Sequence, residues 1–188
     1  MRNLDWARPP EDRLGAVVPL DLEPLAGEGL AMALTHLTVY PCGFEFAFTA
    51  VTAVEPGELC AATLEVARER GEDPVGLSLH FGVEFADGRR EDAHAAWISI
   101  NGPSRVPPGF PRQMPPDPET EIFIRGGGFS PLPHRYPGSA YVWPLPPPGP
   151  LTFWLGWPAA GLPVTPLRID AAAVLDVAGT DAALWEEP

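Results

Sequence analysis

The chain contains no lysine. All 12 basic residues are arginine, set against 25 Asp and Glu, for a formal net charge of −13. A charge of that sign repels phosphate backbones and anionic lipid, which recruit clustered Arg or Lys. The nearest approaches to a basic cluster, Arg89-Arg90 and Arg68 with Arg70, are flanked by acids. Nucleic acid and membrane surfaces are therefore not expected partners. Cysteine is also scarce. Cys42 and Cys60 match no CxxC spacing and are expected as free, buried thiols. No stretch approaches the ~20 apolar residues of a membrane span. The N-terminus, Met1-Arg2-Asn3-Leu4-Asp5-Trp6, has no apolar signal-peptide core. These absences together predict a cytoplasmic protein.

Catalytic signatures are missing as well. There is no GxSxG, and neither cysteine lies in a local signature with histidine. Ser130 and His134 are close in sequence, which does not make a triad. Arg125-Gly126-Gly127-Gly128-Phe129 resembles an anion-cradling loop, but Phe129, Ser130 and Pro131 follow where a phosphate loop needs Lys, Ser or Thr and a helix. It reads as a flexible strand exit. The Trp143–Pro150 segment contains a PxxP spacing without a basic flank, and reads as a rigid connection packed on its own domain.

What is abundant is proline and glycine, 26 and 19 residues of 188. Such punctuation leaves little room for long helices. The chain is nevertheless long enough to bury roughly 70% of its unfolded surface, so it needs no disulfide or metal for stability. The apolar pattern is that of strands. Leu30, Met32 and Leu34 alternate, then Leu37 and Val39 alternate in the opposite phase, which predicts a bulge near Thr35-His36. After a Pro41-Cys42-Gly43 turn, Phe44, Phe46, Phe48, Ala50, Thr52 and Val54 share one face of a long strand that forms a hairpin with its predecessor. Residues 57–70 read as a helix, with Glu58 in the first turn, Arg68 and Arg70 in the last, and Gly71 as the cap. Its apolar stripe comprises Leu59, Cys60, Thr63, Leu64, Val66 and Ala67.

Strands are further expected at 75–86, 121–125, 139–143, 151–157 and 166–169. Asp170 is placed to cap a short helix ending at Gly179. The alternation in Leu151–Trp157 sets Trp154 and Trp157 on opposite faces, one in the core and one covered by another element or an interface. The fold class is all-β: a two-sheet antiparallel β-sandwich of roughly seven to nine strands with one or two short helices. Residues 1–28 read as an extended N-terminal arm with one short strand within Gly15–Leu22. Residues 29–188 read as a single domain interrupted by a Pro-rich surface loop at 101–119.

Asp87-Gly88 signals a hairpin. A two-residue loop would set Phe85 against Arg90 and Phe81 against His94, with charge on the apolar face. A three-residue loop, Asp87-Gly88-Arg89, sets Phe81 against Ala95 and Leu79 against Trp97, and is preferred. In that register Asp92 faces Glu84 across the outer surface, and His94 lies diagonal to His80 and Glu84. Diagonal neighbours in a sheet are within reach. His80, Glu84, Asp92 and His94 are thus the candidate ligands of a divalent metal such as zinc. A solvated polar face with a helix or arm lying over it accounts for the same residues.

Four segments carry a family resemblance: Val39-Tyr40-Pro41-x-Gly43-Phe44-Glu45-Phe46, Gly82–Arg89, Val142–Phe153 and Ile169–Ala172. The chain resembles actinobacterial proteins marked by GVEFADGR and WPLPPPGPLTF, from about residue 35 to the end. That family has no assigned activity, so the resemblance implies no site residue. It implies a cytosolic bacterial protein and a proline segment belonging to the fold. It does not extend to the N-terminal arm or the 101–119 loop. The expected function is a non-enzymatic interaction module with a protein partner or a second copy of itself, and no cofactor. The alternative is a metal-binding protein or metal-dependent enzyme using the His/carboxylate patch.

Overall fold

The computed structural model describes residues 5–94, 117–126, 133–180 and 182–183. Its framework is the predicted hairpin. Strand β4 (Leu30–Val39) pairs with β5 (Phe44–Thr52), and Thr35 is the extra residue between the pairs Leu34↔Phe48 and His36↔Ala47. The bulge does what the phase change requires. It keeps Leu30, Met32, Leu34, Leu37 and Val39 all on the buried face.

The larger sheet extends from this hairpin in both directions. Strand β2 (Ala16–Pro19) pairs with the end of β4, and β3 (Leu25–Gly27) with its beginning. Residues expected as an arm thus run as short edge strands. On the far side β5 pairs with β9 (Arg135–Trp143), and β9 with β8 (Phe123–Gly126). The smaller sheet has the order β11 (Leu162–Asp170), β10 (Pro150–Trp157), β6 (His80–Glu84), β7 (Arg90–His94), all antiparallel. A two-residue bridge joins β1 (Arg13–Leu14) to β12 (Ala182–Ala183).

The two large sheets face each other through aromatic rings. Phe46 of β5 meets Phe153 of β10 at 5.3 Å between centroids and Phe81 of β6 at 6.2 Å. Phe44 and Phe48 make the flanking contacts, with Phe153 and Phe81. Edge-on and tilted rings at these separations are the favoured arrangements. Leu79, Val83, Phe85, Leu151 and Leu155 complete the middle of the core. The fold is all-β, as the alternation predicts.

Helix α1 (Pro56–Arg70) begins one residue before the expected span and ends where expected, with Gly71 in the left-handed conformation at φ 65°. At its N-terminus the Glu58 side chain accepts from the Glu55 backbone N–H. Its buried stripe is narrower than expected: Leu59, Thr63 and Ala67 are buried, whereas Leu64 is exposed. Thr63 receives a hydrogen bond from the Trp157 indole, which docks the helix on the end of β10. The Cys60 side chain lies outside the described residues. Asp170 accepts from the Ala172 N–H, but the residue that caps α3 (Ala172–Leu175) is Ala171, and the helix ends at Leu175 rather than at Gly179 as expected. The proline segment packs on its own fold. Pro146 is buried, and the Gly149 carbonyl accepts from the Ala171 N–H at 2.8 Å. No helix among the described residues is long and apolar enough to cross a membrane.

Two expectations are corrected. The strand expected from residue 75 begins only at His80. Before it, Asp73 caps a single helical turn, α2 (Pro74–Leu77), by accepting from the Val75 N–H. Leu77 is buried from this turn, so its place in the period-2 pattern was fortuitous. The hairpin register is also different. Its three-residue loop is Ala86-Asp87-Gly88, closed by Phe85 N–H to Arg89 O at 2.9 Å. Gly88 takes the left-handed position at φ 86° that such loops place last. Phe81 therefore opposes Ala93. The slip from the expected register is two residues, so the described residues of the pair keep their predicted faces while their neighbours change. Residues 95–100 and most of 101–119 lie outside the described residues.

Candidate functional site

The corrected register builds the outer face of the smaller sheet around Gly82. Gly82 is paired with Asp92 on β7 and with Trp154 on β10. Its missing side chain is what brings them together. A Cβ there would collide with Asp92 Oδ1 and press on the Glu91 carbonyl. Asp92 leans over the glycine and reaches His80, whose Nε2 lies 2.9 Å from Oδ1. A carboxylate only accepts, so the imidazole nitrogen is the donor. Arg90 closes on the same carboxylate from two directions, Nε to Oδ2 at 2.8 Å and Nη2 to Oδ1 at 3.0 Å. The Arg90 guanidinium also lies over the Trp154 ring, 4.1 Å from its centroid. Trp154 Nε1 in turn donates to Glu84 Oε2 at 3.1 Å. One chain of contacts, His80–Asp92–Arg90–Trp154–Glu84, thus runs across three strands.

Burial and charge set the protonation of this chain. Desolvation pushes the His80 imidazole below its ordinary value, and the neighbouring Arg90 adds to that, outweighing the upward pull of Asp92. Burial alone would raise Asp92. The hydrogen bonds and charge of Arg90, together with His80, outweigh it and hold the carboxyl below its usual range. At neutral pH the face therefore carries a neutral imidazole, a carboxylate and a guanidinium.

Of the sequence-predicted ligands, His80, Glu84 and Asp92 do share this face. Asp92 sits opposite Gly82 rather than Glu84, and His94 opposite His80 rather than Gly82. The His94 side chain lies outside the described residues. Both Asp92 oxygens are already engaged, and Glu84 turns to Trp154. Among the described residues, no group of three or more His, Cys, Asp or Glu is arranged to hold a metal ion. Of the two tryptophans on β10, Trp157 is the fully buried one and Trp154 belongs to this outer face. No local pattern in the sequence pairs Arg90 with Trp154, because their contact depends on β10 lying beside β6.

Other candidates fall elsewhere. Gly127, Gly128, Phe129 and Ser130 lie outside the described residues. His134 enters β9 with φ 60°, its carbonyl bonded to the Thr52 N–H. Cys42 is a free, half-buried thiol 3.4 Å from the Tyr141 hydroxyl. Tyr141 belongs to a cleft on the outer face of the larger sheet, lined by Arg8, Pro9, Glu45, Arg125, Gly126 and Tyr141, with a volume of about 170 Å³. No family model, curated protein or solved structure matches the chain.

Proposed function

We propose that this chain is a non-enzymatic binding module that recognises a protein partner, or a second copy of itself, through the outer face of the smaller sheet. The observation that carries this reading is Arg90, stacked at 4.1 Å on Trp154 and clamped along its edge by Asp92. Trp and Arg are the residue types that dominate binding energy at protein interfaces. Ordering a long side chain on binding costs about 0.5–1.5 kcal/mol. The stack and the two bonds to Asp92 impose that order in advance. The polar groups of the face are matched to one another, which suits a rigid recognition surface better than a site for proton transfer. A cytosolic setting accords with the free Cys42 thiol, and the net charge of −13 argues against nucleic acid as the partner. Size-exclusion chromatography with light scattering, alongside affinity capture from a native lysate, tests the reading. Self-association or a specifically retained protein is the expected result. A strict monomer that retains nothing contradicts it.

One observation favours the metal alternative. His80 and His94 occupy directly opposed positions of β6 and β7, with Asp92 one diagonal away. A zinc ion held by His80, His94 and Asp92, with Glu84 nearby, would have to displace Arg90 from Asp92. Metal analysis of protein purified without a polyhistidine tag tests it. Stoichiometric zinc lost in His80→Ala/His94→Ala supports it. No metal, or binding unchanged in that variant, ends it.

A further inference from the structure

The cleft on the larger sheet has an independent chemistry. Glu45 of β5, Tyr141 of β9 and Arg125 of β8 stand side by side in one cross-strand row on the outer face. The chain segment before β1 lies over the same face. Trp6 packs against Phe123 and Trp143, with centroids 4.9 and 5.9 Å apart. Arg8 and Pro9 thereby form one wall of the cleft. Four separate segments thus converge on a space of about 170 Å³, room for about five or six water-sized groups.

The row carries opposite charges that do not meet. Glu45 is half-buried and Arg125 exposed. The two form no ion pair with each other. Their strands are two spacings apart, about 9.5 Å, with Tyr141 on the strand between them and its hydroxyl reaching to Cys42. Tyr141 stays a neutral phenol: burial first, then its contact with Cys42, raises it well above its ordinary value. Arg8 is turned partly toward Glu11, 2.6 Å away, and leaves Arg125 as the principal cation on the sheet side.

We propose that this cleft binds a small zwitterion of the α-amino-acid class, its carboxylate on Arg125 with Arg8 beside it and its ammonium on Glu45, over the Tyr141 ring. Such a molecule offers a charge-assisted hydrogen bond at each end, one for each of the two opposite charges that flank Tyr141 in the row. A simple carboxylate would leave Glu45 unpaired, and a simple amine would leave Arg125 unpaired. Each loses one charge-assisted bond.

The test is a protein-detected NMR titration of the full chain with alanine, acetate and ethylammonium in parallel. Alanine is expected to bind about tenfold more tightly than either of the others and to shift the amides around residues 8, 45, 125 and 141. Arg125→Gln and Glu45→Gln are each expected to weaken alanine binding by about tenfold with the melting temperature unchanged. Glu45→Gln is also expected to leave acetate binding intact. If either variant unfolds, the wild-type shift map and the three-ligand ranking decide alone. Absence of alanine binding at ~10 mM, a Kd range in which one charge pair would still be measurable, overturns the proposal. Acetate binding as tightly as alanine, or shifts confined to another surface, overturns it too. The partner surface on the smaller sheet is untouched by these outcomes.

Discussion

Gly82 and Asp92 face each other across β6 and β7, and the carboxylate occupies the space a side chain at 82 would fill. Asp92 cannot retreat cheaply, because Arg90 holds both its oxygens and His80 one of them. In a strand, Gly→Ala without a clash gains about 0.4–1 kcal/mol from the unfolded chain. Here the Cβ also meets the Glu91 carbonyl of the backbone. Gly82→Ala is therefore predicted to destabilise the protein by about 1–3 kcal/mol, the usual cost of overpacking. Urea denaturation checks this, and a variant as stable as wild type would show that Asp92 moves freely.

The depressed imidazole predicts how stability depends on acid. His80 titrates lower in the folded state than in the unfolded one, so below the unfolded value of about 6.5 the unfolded chain binds more protons. Stability must then fall as pH drops from that value toward the folded one. Asp92, also depressed, adds a second loss in the same direction below its ordinary range near 3.8. His80→Gln is predicted to flatten the slope between about pH 6.5 and pH 5. Thermal melts across that range measure it. An unchanged slope would assign the acid sensitivity to other groups.

Helix α1 is tied to the core through a buried pair. Trp157 Nε1 donates to Thr63 Oγ1 at 3.2 Å, and Thr63 donates to the Leu59 carbonyl at 2.8 Å. Thr63→Val keeps the shape and takes this acceptor away from the buried indole N–H. The predicted loss is about 1–3 kcal/mol. Urea titration followed by tryptophan fluorescence reads it, and a loss near zero would mean that water reaches the indole.

The sequence carries some of this plainly and hides the rest. The phase change at Thr35 and the left-handed Gly71 are local consequences of side-chain period and backbone sterics, and both are where the pattern puts them. Leu77 shows the limit of period alone. It sits two residues before Leu79 and is buried, yet it belongs to a helical turn announced by Asp73-Pro74, an N-cap followed by proline at the first position. The 87–88 hairpin was recognisable, but Gly88 belongs at the last position of its loop, which moves every cross-strand partner by two residues. That single displacement exchanges the expected Glu84–Asp92 neighbours for His80–Asp92. The stack of Arg90 on Trp154 depends further on β10 pairing with β6, a long-range choice that no local pattern encodes.

The most direct test of the central claim compares two variants in the same binding or self-association measurement. Trp154→Ala removes the platform beneath Arg90, whereas Val17→Ala changes an exposed residue of the larger sheet. Truncating a dominant interface residue costs about 2 kcal/mol or more, which is more than tenfold in affinity. The account predicts at least about a tenfold loss for Trp154→Ala and no change for Val17→Ala, with both variants folded by circular dichroism. Partner binding or dimerisation that survives Trp154→Ala intact would contradict it.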